Sequence, residues 1–193
     1  MSNRLELEKS FVIEENLEKL LKKIEKEGFS LASTDTEEDT YFTDKQLEFI
    51  QDRVCLRTRK TNEKFLELTY KPKSDSNTER YGKREVNIRI NPEDYEDIKY
   101  VIDRLGYLEY VSFKKHRSTY SKVIDGYVHN IMIDNIEGVG DFAEFEILSE
   151  DEKNKELLAK KLDMFITLFE CNKYKEKTKP YRDIVKEYME KKD

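Results

Sequence analysis

The sequence predicts an α+β fold: a closed antiparallel β-barrel of about eight strands, forming a tunnel, with helices packed outside. Three observations lead to it. Eight short segments carry strand-like patterns and four carry helical ones. The strands follow one another in runs, which reads as antiparallel pairing. The strands also pair an apolar face with charges two residues apart on the other face, and a sheet of seven or eight strands tends to curl and close.

From Arg4 to Ile13, Leu5, Leu7, Lys9 and Phe11 alternate with Glu6, Glu8 and Ser10, the period of a strand. From Glu14 to Glu27 the period changes: Leu17, Leu20, Leu21 and Ile24 fall on one helical face, and Gly28 follows as a stop. Strand-like stretches follow at Thr40-Tyr41-Phe42, Val54 to Lys60, Phe65 to Lys73 and Glu85 to Ile90, with Ser74 to Asn77 as a hairpin loop. Asn91-Pro92-Glu93-Asp94 reads as a helix start, with Asn as cap and Pro at the first position. Ile98, Val101, Ile102 and Leu105 form its apolar face, and Gly106 closes it. Three further strands run from Tyr110 to Tyr120, Val128 to Asn135 and Phe142 to Leu148. Helices from Glu150 to Glu170 and from Tyr181 to Lys191 complete the order β-α-β-β-β-β-α-β-β-β-α-α, which hints at two similar halves.

The length, 193 residues, fits one domain spanning 1–193. Charged residues make up 40% of the chain. Ile, Leu, Val and Phe still supply about a quarter of it, enough to fold. The net charge of −6 argues against a nucleic-acid partner, though not against a local basic pocket. No apolar run approaches the roughly 18 residues of a membrane span, and the first residues lack the apolar stretch of a signal peptide. Cys55 and Cys171 form no CxxC and no disulfide scaffold. A cytoplasmic protein without membrane or nucleic-acid partners is the expectation.

The charges in the strands are sorted by sign. Glu6/Glu8 and Glu144/Glu146 lie on the first and last strands; Arg57/Arg59 and Lys115/Arg117 lie between, and Lys71 follows Glu67 and Thr69 on its own strand. Any single pair reads most simply as a solvated face. The sorted set reads differently: charges lining a lumen need counter-ions. Carboxylates suit Mg²⁺ or Mn²⁺, and Arg and Lys suit phosphates. A metal-bound polyphosphate fits both. There is no GxxxxGK[ST] loop, and Gly138-Val139-Gly140 reads as a turn rather than a dinucleotide fingerprint. His116 and His129 lack metal-ligand spacing, and Cys55 has no general-base partner.

In their order along the chain these motifs resemble the CYTH domain, the triphosphate tunnel metalloenzymes. Glu6-Leu7-Glu8-Lys9-Ser10 stands where the family has ExExK. Asp39-Thr40-Tyr41-Phe42 and Leu56-Arg57-Thr58-Arg59 match its D-x-Y-F and L-R-x-R elements. Leu68-Thr69-Tyr70-Lys71, Arg84-Glu85-Val86 and Lys115-His116-Arg117 follow. Then come Asp134 and Gly138-Val139-Gly140-Asp141-Phe142-Ala143-Glu144-Phe145-Glu146, and more loosely Lys179-Pro180-Tyr181-Arg182. The family's motif lysine falls at Ser10, while Lys9 points to the other face unless the strand bulges.

The resemblance implies a Mg²⁺- or Mn²⁺-dependent enzyme acting on a triphosphate, most like a class IV adenylyl cyclase making cyclic AMP and pyrophosphate from ATP. The alternatives are a triphosphatase acting on thiamine triphosphate or inorganic tripolyphosphate, and a non-catalytic polyphosphate or nucleotide binder, which Ser10 favours. Glu6, Glu8, Glu144 and Glu146 would hold the metal. Arg57, Arg59, Lys71, Arg84, Lys115 and Arg117 would hold the phosphates, with Asp134 and Lys115 catalytic. Barrels of this family often pair, so a homodimer is also an expectation.

Overall fold

A computed structural model describes residues 5–73, 85–149 and 155–192. Eight strands form an antiparallel sheet in the order β1-β8-β7-β6-β2-β3-β4-β5, the expected α+β class. The chain falls into two compact units, residues 1–34 with 116–180 and residues 35–115 with 181–193. The strands β2 (Ser30–Thr43) and β6 (Leu108–Ile124) each run through both.

In the first unit, β1 (Leu5–Ile13) pairs with β8 (Gly140–Ser149), and β8 with β7 (Tyr127–Ile136), all antiparallel. One face of this sheet is apolar. Leu7, Phe11, Ile131, Phe145 and Ile147 are buried there, and Phe165 and Phe169 at the end of the long helix pack on them. Phe165 meets Phe145 edge-on with ring centroids 5.2 Å apart, and Phe29 stacks on Phe165 at 5.5 Å. Such offset and edge contacts are the preferred aromatic geometries.

α1 (Leu17–Lys26) buries Leu20 and Ile24. Gly28 ends it at φ +77°, a region that costs a side chain about 1–2 kcal/mol. There the amide of Gly28 donates to the Glu25 carbonyl at 3.0 Å and that of Phe29 to the Ile24 carbonyl at 3.2 Å. This is the paired C-terminal closure that glycine makes available.

In the second unit, β3 (Cys55–Thr61) pairs with β2 and β4 (Phe65–Lys71), and β4 with β5 (Val86–Ile90). A short helix, α2 (Glu48–Gln51), precedes β3; α3 (Tyr95–Arg104) follows β5 and repeats the closure of α1. Gly106 donates to Asp103 at 2.9 Å, and Tyr107 donates to Ile102 at 3.2 Å. The helices α4 (Lys155–Leu168), in the first unit, and α5 (Tyr181–Glu190), in the second, complete the chain.

Three elements differ from the sequence reading. β2 begins at Ser30, not Thr40, because its first half is largely exposed and so shows no apolar alternation. α2 carries no periodic signal; it is nucleated by Asp44, whose carboxylate accepts from the amides of Gln46, Glu48 and Phe49 at 2.9–3.0 Å. Pro92 begins a 3₁₀ turn that leads into α3, and the Asn91 side chain caps nothing. The expected loop at Ser74 to Asn77 and the residues from 150 to 154 lie outside the described residues.

No helix among the described residues is long and apolar enough to cross a membrane. Arg182 anchors α5: its side chain is 2% exposed, and its guanidinium donates to the carbonyls of Val54 and Phe49. Arg182→Ala leaves both carbonyls without this donor and is expected to cost about 3–6 kcal/mol, since lost charged hydrogen bonds cost about 1.5–3 kcal/mol each. Urea denaturation checks this; a loss below about 1 kcal/mol would show that α5 is held by its apolar side chains alone.

Candidate functional site

Cross-strand partners share a face of a sheet. In the first unit, Glu8 lies opposite Glu146 and Ser10 opposite Glu144. On the next strand Asn130 lies opposite Glu146 and Asp134 opposite Phe142. Glu6, Glu8, Ser10, Asn130, Asp134, Glu144 and Glu146 therefore share the face away from the aromatic core. Glu6 and Glu8 are exposed, Glu144 and Glu146 half-buried and Asp134 fully buried.

Arg117 of β6 grips Asp134 with both ends of its fork: Nε to Oδ1 and Nη2 to Oδ2, each at 2.6 Å. Its Nη2 also lies 3.4 Å from Glu144 Oε1. The Ser10 hydroxyl donates to Glu144 Oε2 at 3.0 Å. Asn130 Nδ2 donates to Glu146 Oε2 at 2.7 Å, and the Ser121 hydroxyl donates to Asn130 Oδ1. Burial raises the Glu146 carboxyl despite that hydrogen bond, and the charges of Glu6 and Glu144 push it further, to about 7.

Lys9 lies on the opposite face, where its Nζ meets Asp163 of α4 at 2.7 Å. The β1–β8 register runs unbroken from Leu5 to Ile13, so no bulge returns Lys9 to the acidic face. Ser10 occupies that place. Outside β1 runs a basic strap: Val12 donates to the Lys175 carbonyl at 2.9 Å, and Lys177 donates to the Ser10 carbonyl at 2.7 Å. These backbone bonds flank the Phe11–Glu176 bridge and lay the Lys177 main chain beside Ser10, while the Lys177 ammonium donates to the Lys179 carbonyl at 3.4 Å.

In the second unit the register places Asp39 opposite Arg59, Tyr41 opposite Arg57, Arg57 opposite Thr69 and Cys55 opposite Lys71. Arg59 grips Asp39 with Nε at 2.6 Å and Nη2 at 2.7 Å, and its Nη1 lies 2.9 Å from Glu37 Oε2. Lys115, 1% exposed, lies at the same distance from the same Glu37 oxygen, with its ammonium 5.3 Å from the centre of the Tyr181 ring. Arg57 reaches Asp39 Oδ2 at 3.6 Å, Tyr41 Oη at 3.5 Å and Thr69 Oγ1 at 3.3 Å. Lys71 pairs with Glu85 at 2.5 Å. Arg84 lies outside the described residues.

Burial alone would raise the Asp39 carboxyl; Arg59, then Arg57 and Lys115, override it and hold Asp39 below the usual carboxylate range. Burial pushes the Tyr41 hydroxyl up to about 12, so it stays neutral. Among the described residues, two buried atoms in this cluster have no hydrogen-bond partner: Arg57 Nε, a donor, and Glu37 Oε2, an acceptor that lies close to two cations without hydrogen-bond alignment. Burial raises the Cys55 thiol, in keeping with a packing residue.

Among the described residues no three His, Cys, Asp or Glu side chains converge into a ready-made metal cage. The donor set on the acidic face nonetheless suits a hard cation: it is all carboxylate oxygen, and Glu146 carries like charges beside it without an arginine fork of its own. Sequence reading did not single out Glu37, Asn130 or Ser121 as site residues, and it named Tyr41 only within the Asp39-Thr40-Tyr41-Phe42 motif. Glu37 shares the period-two face of Asp39, which is the signal that could have found it; the link of Ser121 to Asn130 is purely cross-strand.

A carboxyl raised in the folded state favours the fold while it is protonated. Without metal, the contribution of Glu146 is therefore full below about pH 4.5 and is lost as pH rises toward about 7. Glu146→Gln is expected to be more stable than the parent at pH 8 in a chelator, with the advantage vanishing below pH 5. Urea midpoints across that range check it; a variant less stable at pH 8 would mean that the charged carboxylate is well accommodated.

The family model of the CYTH domain matches residues 5–178. A protein of Methanocaldococcus jannaschii named "Putative adenylate cyclase MJ0240" is 32% identical over 143 residues, 72% of this chain and 76% of that protein. The structure of a conserved hypothetical protein from Pyrococcus furiosus superposes with TM-score 0.71 at 26% identity, covering 93% of this chain and 99% of its own. A Hippeastrum protein with a dominant triphosphatase activity shares the fold, with TM-score 0.67 at 13% identity over 96% of each chain. The alternating charges on unbroken strands, the buried arginine–aspartate forks and this match along nearly the whole chain place the protein in the CYTH domain family.

Proposed function

We propose that this chain is a Mg²⁺- or Mn²⁺-dependent enzyme acting on a nucleoside or other triphosphate, with cyclisation of ATP to cyclic AMP and pyrophosphate as its leading reaction. One observation carries the reading. Arg57, Arg59 and Lys115 are largely buried on one sheet face, and Arg57 Nε is there a buried donor without an acceptor among the described residues. A phosphate oxygen is the acceptor that such a donor set fits, Arg in bidentate fashion. The cyclase assignment draws on the 32% identical relative. Water attacking the γ-phosphorus instead would make the enzyme a triphosphatase, the activity of the Hippeastrum protein. A polyphosphate binder without turnover is the reading that Ser10 favours.

In this reading Glu6, Glu8, Glu144 and Glu146 hold the divalent cation, which neutralises phosphate charge. Arg57, Arg59, Lys71, Lys115 and Arg117 bind phosphate oxygens, and Lys115 stabilises the negative charge that develops on the leaving group. Both oxygens of Asp134 are engaged by Arg117, so Asp134 acts by aiming that guanidinium. Asp39 does the same for Arg59. Arg84 is expected among the phosphate ligands from its motif alone.

ATP, thiamine triphosphate and tripolyphosphate, each with Mg²⁺ and with Mn²⁺, should reveal the reaction through which substrate disappears and what forms. Cyclic AMP with pyrophosphate supports the cyclase, phosphate release supports the hydrolase, and binding without product supports the sensor. Glu6→Gln and Glu146→Gln are expected to abolish turnover while far-ultraviolet dichroism stays unchanged; full activity in both removes the metal assignment.

Ser10 supplies no positive charge, and a charge-assisted contact is worth about 1.5–3 kcal/mol, one to two decades in rate or affinity. Ser10→Lys should therefore raise turnover or affinity by about tenfold or more, unless Lys177, whose main chain lies beside Ser10, already fills the gap. In that case Lys177→Ala should lower it. Lys9→Ala should leave turnover within about twofold, because Lys9 faces α4. Loss of activity in Lys9→Ala alone would reverse this assignment of faces.

A further inference from the structure

Within one strand the second unit holds two acids, two residues apart, that treat the same cations differently. Asp39 is 1% exposed and accepts from Arg59 through two aligned bonds, at 2.6 and 2.7 Å. Glu37, 7% exposed, brings a single oxygen to 2.9 Å from both Arg59 Nη1 and Lys115 Nζ. That oxygen accepts no hydrogen bond of proper alignment. Glu37 thus sits where an anion would sit between two cations, without the geometry that locks an ion pair.

Its strand position agrees. Glu37 pairs with Thr61 at the far end of the β2–β3 ladder, beyond the Asp39–Arg59 pair. A glutamate has one more rotatable bond than an aspartate, so withdrawing its carboxylate need not disturb the strand.

We propose that Glu37 is a displaceable counter-ion: its carboxylate holds the place of a phosphate oxygen between Lys115 and Arg59 and leaves when a polyphosphate binds. The proposal rests on the reading that these cations hold phosphates, and it assigns the acid beside them a role in specificity. Every incoming anion must replace a carboxylate already there. A ligand with several linked phosphates gains further contacts, for instance with Arg57, that offset this cost. A lone monoanion gains little. Glu37 would select for linked phosphates over small anions, and would keep a negative neighbour beside buried Lys115 while no ligand is bound.

Asp39 provides the control. Glu37→Gln and Asp39→Asn remove the same charge from the same strand face. Displacement predicts opposite signs. Glu37→Gln should tighten inorganic tripolyphosphate binding about tenfold or more at low salt, because the competing anion is gone. It should also allow measurable binding of orthophosphate. Asp39→Asn should weaken tripolyphosphate binding, because Arg59 loses its orienting fork.

The measurement is titration calorimetry of the full chain with tripolyphosphate and with orthophosphate, in chelator and at fixed ionic strength. If both variants tighten, a general change of field explains the result and the proposal falls. Weakening in Glu37→Gln means the acid positions Lys115 and Arg59, and also overturns it. If Glu37→Gln does not fold, Glu37→Ala gives the same reading. A parent protein that binds no tripolyphosphate, with or without Mn²⁺, would instead overturn the proposed function itself. A parent that binds, with no gain in the variant, overturns only the role of Glu37.

Discussion

Two arginine–aspartate forks, one in each unit, make the charges buried on these strands possible. Arg59 with Asp39 in one unit and Arg117 with Asp134 in the other are each closed by two bonds of 2.6–2.7 Å. Asp39 and Asp134 are both essentially without solvent contact. An isolated ion in such a place would cost several kcal/mol. Two aligned bonds recover much of that cost, and they also fix the plane of each guanidinium. Arg57 and Lys115 depend on the same arrangement, because Asp39 and Glu37 supply their negative neighbours.

The remaining acids contrast with these. Glu146 has an amide donor from Asn130 but no fork, and the nearby charges of Glu6 and Glu144 oppose its ionisation. Asp39 is held ionised by cations, whereas Glu146 is held back from ionising by burial and like charges. Acids of the first kind organise the cations that the fold itself carries. Acids of the second kind carry charge that the fold's own cations do not balance. Asp39 and Asp134 each close a two-bond arginine fork, whereas Glu144 meets Arg117 through a single 3.4 Å contact and Glu146 accepts from an amide.

On the opposite face of the first unit the logic is apolar. Phe11, Phe145, Phe165 and Phe169 form one ring cluster there. Lys9 is tolerated on that face because its long stem reaches the rim, where Asp163 meets its ammonium. The repeated closures of α1 and α3 after Gly28 and Gly106 turn the chain out of each helix into a strand of the sheet.

Most of this architecture could be read from local sequence. Alternation in Glu6 to Ser10, Arg57 to Arg59 and Phe142 to Leu148 determined the strands and which residues share a face, because side chains on a strand alternate whatever the strand pairs with. Helical spacing with Gly28 and Gly106 determined where α1 and α3 end. The exposed half of β2 and the helix nucleated by Asp44 were not legible, since neither buries an alternating apolar set. The tertiary structure alone decided the partners. It set Glu8 against Glu146 and Ser10 against Glu144, left Lys9 facing α4, laid Lys177 beside Ser10, and put Glu37 between two cations. A strand's alternation is written in its own residues, but its register is the outcome of pairing with residues far along the chain, and a shift of one residue would exchange the two faces.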